Sequence, residues 1–171
     1  MRPIVLYFSF LSLLFVNHSQ IVYFTSGCSS RGSVMTELEM VTNWVQLSDE
    51  QWRQRLSPEA YRVCRLKGTE RPYSGTYDQH FAQGVYACHC CGEVLFDSES
   101  KFDAGCGWPS FDAELQIGKV AKEADTSHGM VRTEVTCDNC GAHLGHLFDD
   151  GPTATGLRYC INSVALDFKG E

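Results

Sequence analysis

The chain holds 171 residues, 43% of them hydrophobic, and its 21 acidic against 14 basic side chains leave a formal net charge of −7. That size suits one folded domain with a real core plus a short appendage, and the acidic balance argues against electrostatic capture of nucleic acid. Nine cysteines is a high and odd count, so complete internal disulfide pairing is excluded and the spacing of the thiols carries the information.

Residues 4–16 form an uncharged apolar run after Arg2, like the core of a secretory signal and too short for a comfortable membrane span. Gly27-Cys28-Ser29-Ser30 has the small residues of a processing site. Cys28 would be the lipid-bearing cysteine of a lipoprotein, although Thr25 suits such a site poorly. The competing reading starts translation at Met35 or Met40. An exported or membrane-anchored protein follows if residues 1–28 are a real signal, a cytoplasmic one if synthesis starts later. Both readings leave residues 1–40 outside the fold and place the folded domain at 41–171.

Two short helices are predicted next. Ser48-Asp49-Glu50-Gln51 has the form of a capping box, in which Gln51 reaches back to the cap amide. Trp52 and Leu56 lie four apart and would share a face. Ser57-Pro58 is a second N-cap with proline at the first helical position, and that helix should end at Lys67-Gly68. Cys64 upon it reads as a packed residue.

From Thr69 onward the texture changes to short β-like runs punctuated by glycine, proline and aspartate. Gly84 to Ala87, Val94 to Phe96, Met130 to Thr136, His143 to Phe148, Arg158 to Ser163 and Val164 to Phe168 are the predicted strands. In the third of these, Val131, Thr133 and Val135 would share one face and Arg132 and Glu134 the other. The expectation is a mainly β fold, antiparallel, behind short N-terminal helices.

Two CxxCG turns stand out: Cys88 and Cys91 before Gly92, and Cys137 and Cys140 before Gly141, with 46 positions from Cys91 to Cys137. Each leads into an apolar-aromatic run ending in Phe-Asp. Four thiolates around one ion make a closed structural zinc site, with no open position for water. Cys90 and His89 lie inside the first turn as alternative ligands, but matching the second turn favours Cys88 and Cys91.

Between the turns lies Gly105-Cys106-Gly107-Trp108-Pro109-Ser110-Phe111. A thiol between two glycines suits a mobile, exposed turn whose sulfur moves to meet another, with Trp108 as an apolar wall; the plainer reading is a Trp-Pro packing corner. Past the second turn, His143 and His146 would titrate near neutral pH and serve as acid or base, or be structural. Asp149-Asp150-Gly151-Pro152 is a turn first. Along Arg158-Tyr159-Cys160-Ile161-Asn162, strand alternation would put Arg158, Cys160 and Asn162 on one face. A cation beside a thiol lowers its pKa, and the thiolate is the reactive form.

Together these stretches, with Lys101 to Phe111, His128 to Val135, Cys137 to Phe148 and Arg158 to Ser163 matching in order, strongly resemble the B-type peptide-methionine (R)-S-oxide reductases over about residues 45–168. The resemblance implies a small antiparallel domain of two β-sheets with N-terminal helices and one structural zinc ion on Cys88, Cys91, Cys137 and Cys140. It implies reduction of methionine-R-sulfoxide, free or in proteins, in the repair of oxidised proteins. Cys160 would attack the sulfoxide sulfur and become a sulfenic acid, Cys106 would condense with it to a disulfide, and thioredoxin would reduce that disulfide. His143, His146 and Asn162 would line the site and assist proton delivery, Arg158 would activate the thiolate, and Trp108, Phe111 and Asp150 would bind substrate. A monomer that binds no nucleic acid is expected. Two rival classes stand beside this reading: a zinc-ribbon interaction module in which Cys160 is merely buried, and a cysteine hydrolase built on Cys160 and His146. Neither needs Cys106.

Overall fold

A computed structural model describes residues 43–170 of the chain. The hydrophobic N-terminal run, Cys28 and the alternative starts at Met35 and Met40 lie outside the described residues. Among the described residues no helix is long and apolar enough to cross a membrane.

Both predicted helices form where their caps place them. Helix α1 spans Asp49–Arg55, and its capping box is complete: Ser48 Oγ accepts from the Gln51 amide at 3.3 Å while Gln51 Oε1 accepts from the Ser48 amide at 2.8 Å. Helix α2 spans Pro58–Cys64 behind the Ser57 cap. It buries Ala60, Tyr61, Val63 and Cys64, so Cys64 is a core residue. Lys67 takes a left-handed φ of 55° and turns the chain out of the helical region.

Nine strands follow: β1 (Gly84–Cys88), β2 (Val94–Asp97), β3 (Lys101–Phe102), β4 (Ser110–Phe111), β5 (Val120–Asp125), β6 (Arg132–Cys137), β7 (His143–Phe148), β8 (Arg158–Ile161) and β9 (Leu166–Gly170). They make two sheets, one ordered β2-β1-β9 and the other β3-β4-β8-β7-β6-β5, antiparallel at each pairing. The mainly β, two-sheet architecture with short N-terminal helices is therefore as expected.

Aromatic side chains join the sheets. Tyr86 and Phe96 come from the first sheet, Phe111 and Tyr159 from the second, and all are essentially buried. Phe96 stacks on Phe111 with ring centroids 4.4 Å apart, Tyr86 meets Phe111 edge-on at 5.1 Å, and Phe96 meets Tyr159 at 5.6 Å. Such pairs add about 0.5–1.5 kcal/mol each beyond their buried area.

Strand boundaries differ from the sequence reading at β6, at β9 and at β8, which ends at Ile161 and not at Ser163. Strand β6 begins at Arg132, because a left-handed turn at Gly129 leaves Met130 and Val131 exposed before the first rung, Asp125 opposite Arg132. Ser163–Ala165 forms a single 3₁₀ turn, which delays the last strand to Leu166.

Candidate active site and metal centre

Cys160 lies on β8, between β4 and β7. The register sets it directly opposite Ser110 on one side and His146 on the other, and directly opposed residues present their side chains to the same face. The pleat sends its neighbours Tyr159 and Ile161 into the core, 2% and 0% exposed. Nucleophile candidate and histidine are thus side by side because of sheet register alone. Gly145, opposite Ile161, makes the close strand approach possible: a Cβ there would run into the Cys160 carbonyl.

A cleft of about 130 Å³ opens over this face, lined by Thr69, Trp108, Arg132, Gly145, His146, Phe148, Cys160 and Asn162. Four sequence-predicted residues, Cys160, Trp108, His146 and Asn162, meet there. A larger groove of about 740 Å³ on the α2 side contains neither Cys160 nor Cys106 among its lining residues.

Cys106 is brought to the same place from the loop before β4. Its sulfur lies 4.0 Å from that of Cys160, 3.6 Å from Ser110 Oγ and 3.8 Å from Arg158 Nη1. It also borders a second depression of about 280 Å³, which Asp150 and Arg158 help to line and Cys160 does not. The flanking glycines take left-handed φ values, 63° at Gly105 and 86° at Gly107. The turn is bonded at both ends: the Tyr73 amide donates to the Gly107 carbonyl at 2.8 Å and the Tyr73 hydroxyl to the Gly105 carbonyl at 2.7 Å.

Arg158 is fixed by Asp150, to which Nε and Nη2 donate at 2.7 and 2.8 Å, and its guanidinium lies 4.4 Å over the Phe148 ring. Arg158 holds the Asp150 carboxyl below the usual carboxylate range. Asp150 therefore orients Arg158 from an exposed position and does not line the Cys160 cleft. The Cys160 thiol is pushed up to about 12, first by burial and then by the nearby Cys106, and Arg158 offsets only part of this. The resting site thus does not carry the lowered pKa that a neighbouring arginine alone would give.

Phe111, expected to touch substrate, is instead fully buried and stacked on Phe96. Ser110 and Cys160 share one face of the β4–β8 ladder, so the next residue, Phe111, points with Tyr159 into the core. His143 also stands back from the cleft. It is 3% exposed, does not line the Cys160 cleft, and stands behind His146 with ring centroids 5.5 Å apart. Its Nδ1 is 2.7 Å from Glu134 Oε1, whose other oxygen accepts from Lys67 Nζ at 2.7 Å. Burial lowers the His143 pKa, against the pull of Glu134. Asn162 reaches the cleft, but its amide is already engaged: Nδ2 donates to the Leu144 carbonyl at 2.9 Å and Oδ1 accepts from the Glu70 amide at 3.0 Å.

Several supporting residues had no motif to announce them. Asp125 accepts from Arg132 at 2.7 Å and pairs with His146 Nε2 at 2.8 Å. Glu70, 4% exposed, caps the amides of Ser163 and Val164 with its carboxylate, and its carbonyl accepts from Trp108 Nε1 at 3.3 Å. Its backbone and side chain thus anchor Trp108, Asn162 and the turn after β8. Only the polar face of β6, with Arg132 and Glu134 alternating, left a trace in the sequence pattern.

The sulfurs of Cys88, Cys91, Cys137 and Cys140 all lie within 4.8 Å of one another, and Cys90 is outside the set. Cys88 to Cys140 is 3.7 Å and Cys91 to Cys137 is 3.6 Å. A tetrahedron with arms of about 2.3 Å has edges of about 3.8 Å, so the four thiols fit one metal ion. The two turns share one geometry: the Cys88 carbonyl accepts from the Gly92 amide and the Cys137 carbonyl from the Gly141 amide, each at 2.8 Å. Both glycines are left-handed, with φ of 77° and 68°.

A family model described as the SelR domain matches residues 56–170. Peptide methionine sulfoxide reductase MsrB of Pseudomonas putida F1 is 61% identical over 120 residues, covering 70% of this chain and 92% of that protein. The protein of the same name from Pseudomonas syringae pv. syringae B728a is 63% identical over 123 residues, covering 72% and 94%. That from Chromohalobacter salexigens is 61% identical over 125 residues, again covering 72% and 94%. With the family model spanning more than half of its length and relatives of this identity matched almost end to end, the chain belongs to the SelR-domain family, that of the B-type peptide-methionine sulfoxide reductases.

Proposed function

We propose that this chain reduces methionine-R-sulfoxide, free or in proteins, by a cysteine sulfenic-acid mechanism and that thioredoxin recycles it. The observation that carries the reading is the pair of sulfurs 4.0 Å apart beneath a cleft lined by Trp108, His146 and Asn162. A binding module has no use for the second thiol, and neither has a cysteine hydrolase.

The Cys160 sulfur attacks the sulfoxide sulfur while His146 delivers a proton to the sulfoxide oxygen. The substrate S–O bond and the transient bond between the two sulfurs break as the oxygen passes to Cys160, so methionine leaves reduced and Cys160 carries the oxygen as a sulfenic acid. The Cys106 sulfur then attacks the Cys160 sulfur; the S–O bond breaks, water leaves and a disulfide forms. A dithiol of the thioredoxin type exchanges with that disulfide and is itself oxidised. Trp108 offers an apolar surface to the substrate's methyl group. Asp125 orients His146, and Glu134 orients His143 behind it. Asp150 aims Arg158 at the two thiols. Zinc is the ion we assign to the four-cysteine cluster, in a structural role, since a closed thiolate set leaves no site for water.

The test is a turnover assay on separated R and S epimers of a methionine sulfoxide substrate, with dithiothreitol or thioredoxin as reductant. Activity on the R epimer alone is expected, abolished in Cys160→Ser. In Cys106→Ser it should survive with dithiothreitol and disappear with thioredoxin. No reduction of either epimer by the reduced, metal-loaded protein would sink the proposal.

A further inference from the structure

Tyr73 stands out among the exposed side chains. The residue is 68% exposed, so packing supports it little, yet its backbone takes a left-handed φ of 63°. Such a conformation is strained for a bulky residue and persists only where other contacts enforce it. Here the enforcing contacts converge on one loop. The Tyr73 amide binds the carbonyl just after Cys106 and its hydroxyl binds the carbonyl just before, at 2.8 and 2.7 Å. Gly107 permits the approach: a Cβ there would meet the Tyr73 amide nitrogen at 2.7 Å and Pro72 Cβ at 2.8 Å. One surface tyrosine thus straddles the turn that carries the resolving thiol.

We infer that Tyr73 is a positioning residue for the resolving step, holding Cys106 in reach of Cys160 while the sulfenic acid exists. The inference rests on the reading of Cys106 and Cys160 given above. The step it serves is attack of the Cys106 thiol on the Cys160 sulfenic sulfur, which forms the S–S bond, breaks the S–O bond and releases water. Without the clasp the turn has two glycines of wide conformational freedom, and the thiol spends less time at the attack distance.

The experiment is a single turnover of the full chain on methionine-R-sulfoxide with no reductant, following methionine release and disulfide formation separately. Tyr73→Phe removes only the hydroxyl bond, and Tyr73→Ala removes the ring as well. The ratio of the disulfide rate to the methionine rate should fall about five-fold or more in Tyr73→Phe, the scale of one lost hydrogen bond, and further in Tyr73→Ala. Dimedone should trap sulfenic acid on Cys160 in the variants. A ratio unchanged in both variants would overturn the inference, and metal content with the unfolding midpoint verifies that they are folded. Absence of methionine release in the unaltered protein would instead count against the parent reading, through a different product.

Discussion

The Cys106 sulfur, 4.0 Å from that of Cys160, is next after burial among the causes that push the Cys160 thiol up to about 12. Arg158 pulls in the opposite direction but is bound to Asp150 through two hydrogen bonds. The site at rest therefore holds a protonated nucleophile, and reactivity depends on what substrate and its desolvation do to that balance.

A pH profile of alkylation follows. A raised pKa means the thiolate fraction keeps growing as pH rises towards 12. Iodoacetamide labelling of Cys160, read by mass spectrometry, should therefore still be accelerating at about pH 10, above the usual thiol range. Cys106→Ser should move the curve to lower pH and Arg158→Met to higher pH. A plateau near neutral pH in the unaltered protein would refute the assignment.

Gly145 sets the spacing of β7 against β8 at the nucleophile. In Gly145→Ala the new methyl group meets the Cys160 backbone, and such overpacking costs about 1–3 kcal/mol. Denaturant unfolding should show that loss. The rate of methionine formation should drop together with it, because the strand that shifts is the one that bears Cys160.

Glu70 is a buried carboxylate that accepts from two amides of the turn after β8. Glu70→Gln replaces one acceptor by a donor and leaves a buried amide unpaired, a loss of about 1–3 kcal/mol. KM should rise more than kcat falls, since loosening the turn after β8 lets the Glu70 backbone, which bonds Trp108 and Asn162, shift while Cys160 stays on its strand. An unchanged KM would show that the anchor does not reach the cleft.

Stripping the metal from the reduced protein with a chelator, or making Cys137→Ser, should lower Tm by roughly 10 °C or more. Metal analysis of the untreated protein should return one ion per chain. Activity should fall through loss of structure, and readdition of zinc should restore both together.

Much of the architecture was legible because its signals are local. The capping box at Ser48, Pro58 at the start of α2 and the paired CxxCG turns each act over a few residues. Strands β3 and β4 span two residues each, too short for any alternation to register, and β5 is a polar edge strand with only Val120 buried. Cys160 and His146 stood out by residue type and setting, whereas Cys106 and Trp108 read locally as a packing corner and gained their roles from the family resemblance. That Phe111 turns into the core follows from the β4–β8 register, and that His143 packs behind His146 follows from the irregular pairing of β6 with β7, neither of which the sequence displays. Glu70 and Asp125 act through partners that only the folded chain brings near.

Strand β9 pairs with β1 along five rungs, from Gly84 opposite Gly170 to Cys88 opposite Leu166. During synthesis β1 therefore waits for its partner until nearly all of these residues have left the ribosome, and such non-local pairing is slow to form. In that interval Cys88, at the last rung of the ladder, lacks the Leu166 strand beside which it is buried in the folded chain. A protein whose task is to undo sulfur oxidation thus has a metal-turn thiol of its own whose burial waits for the last strand to pair.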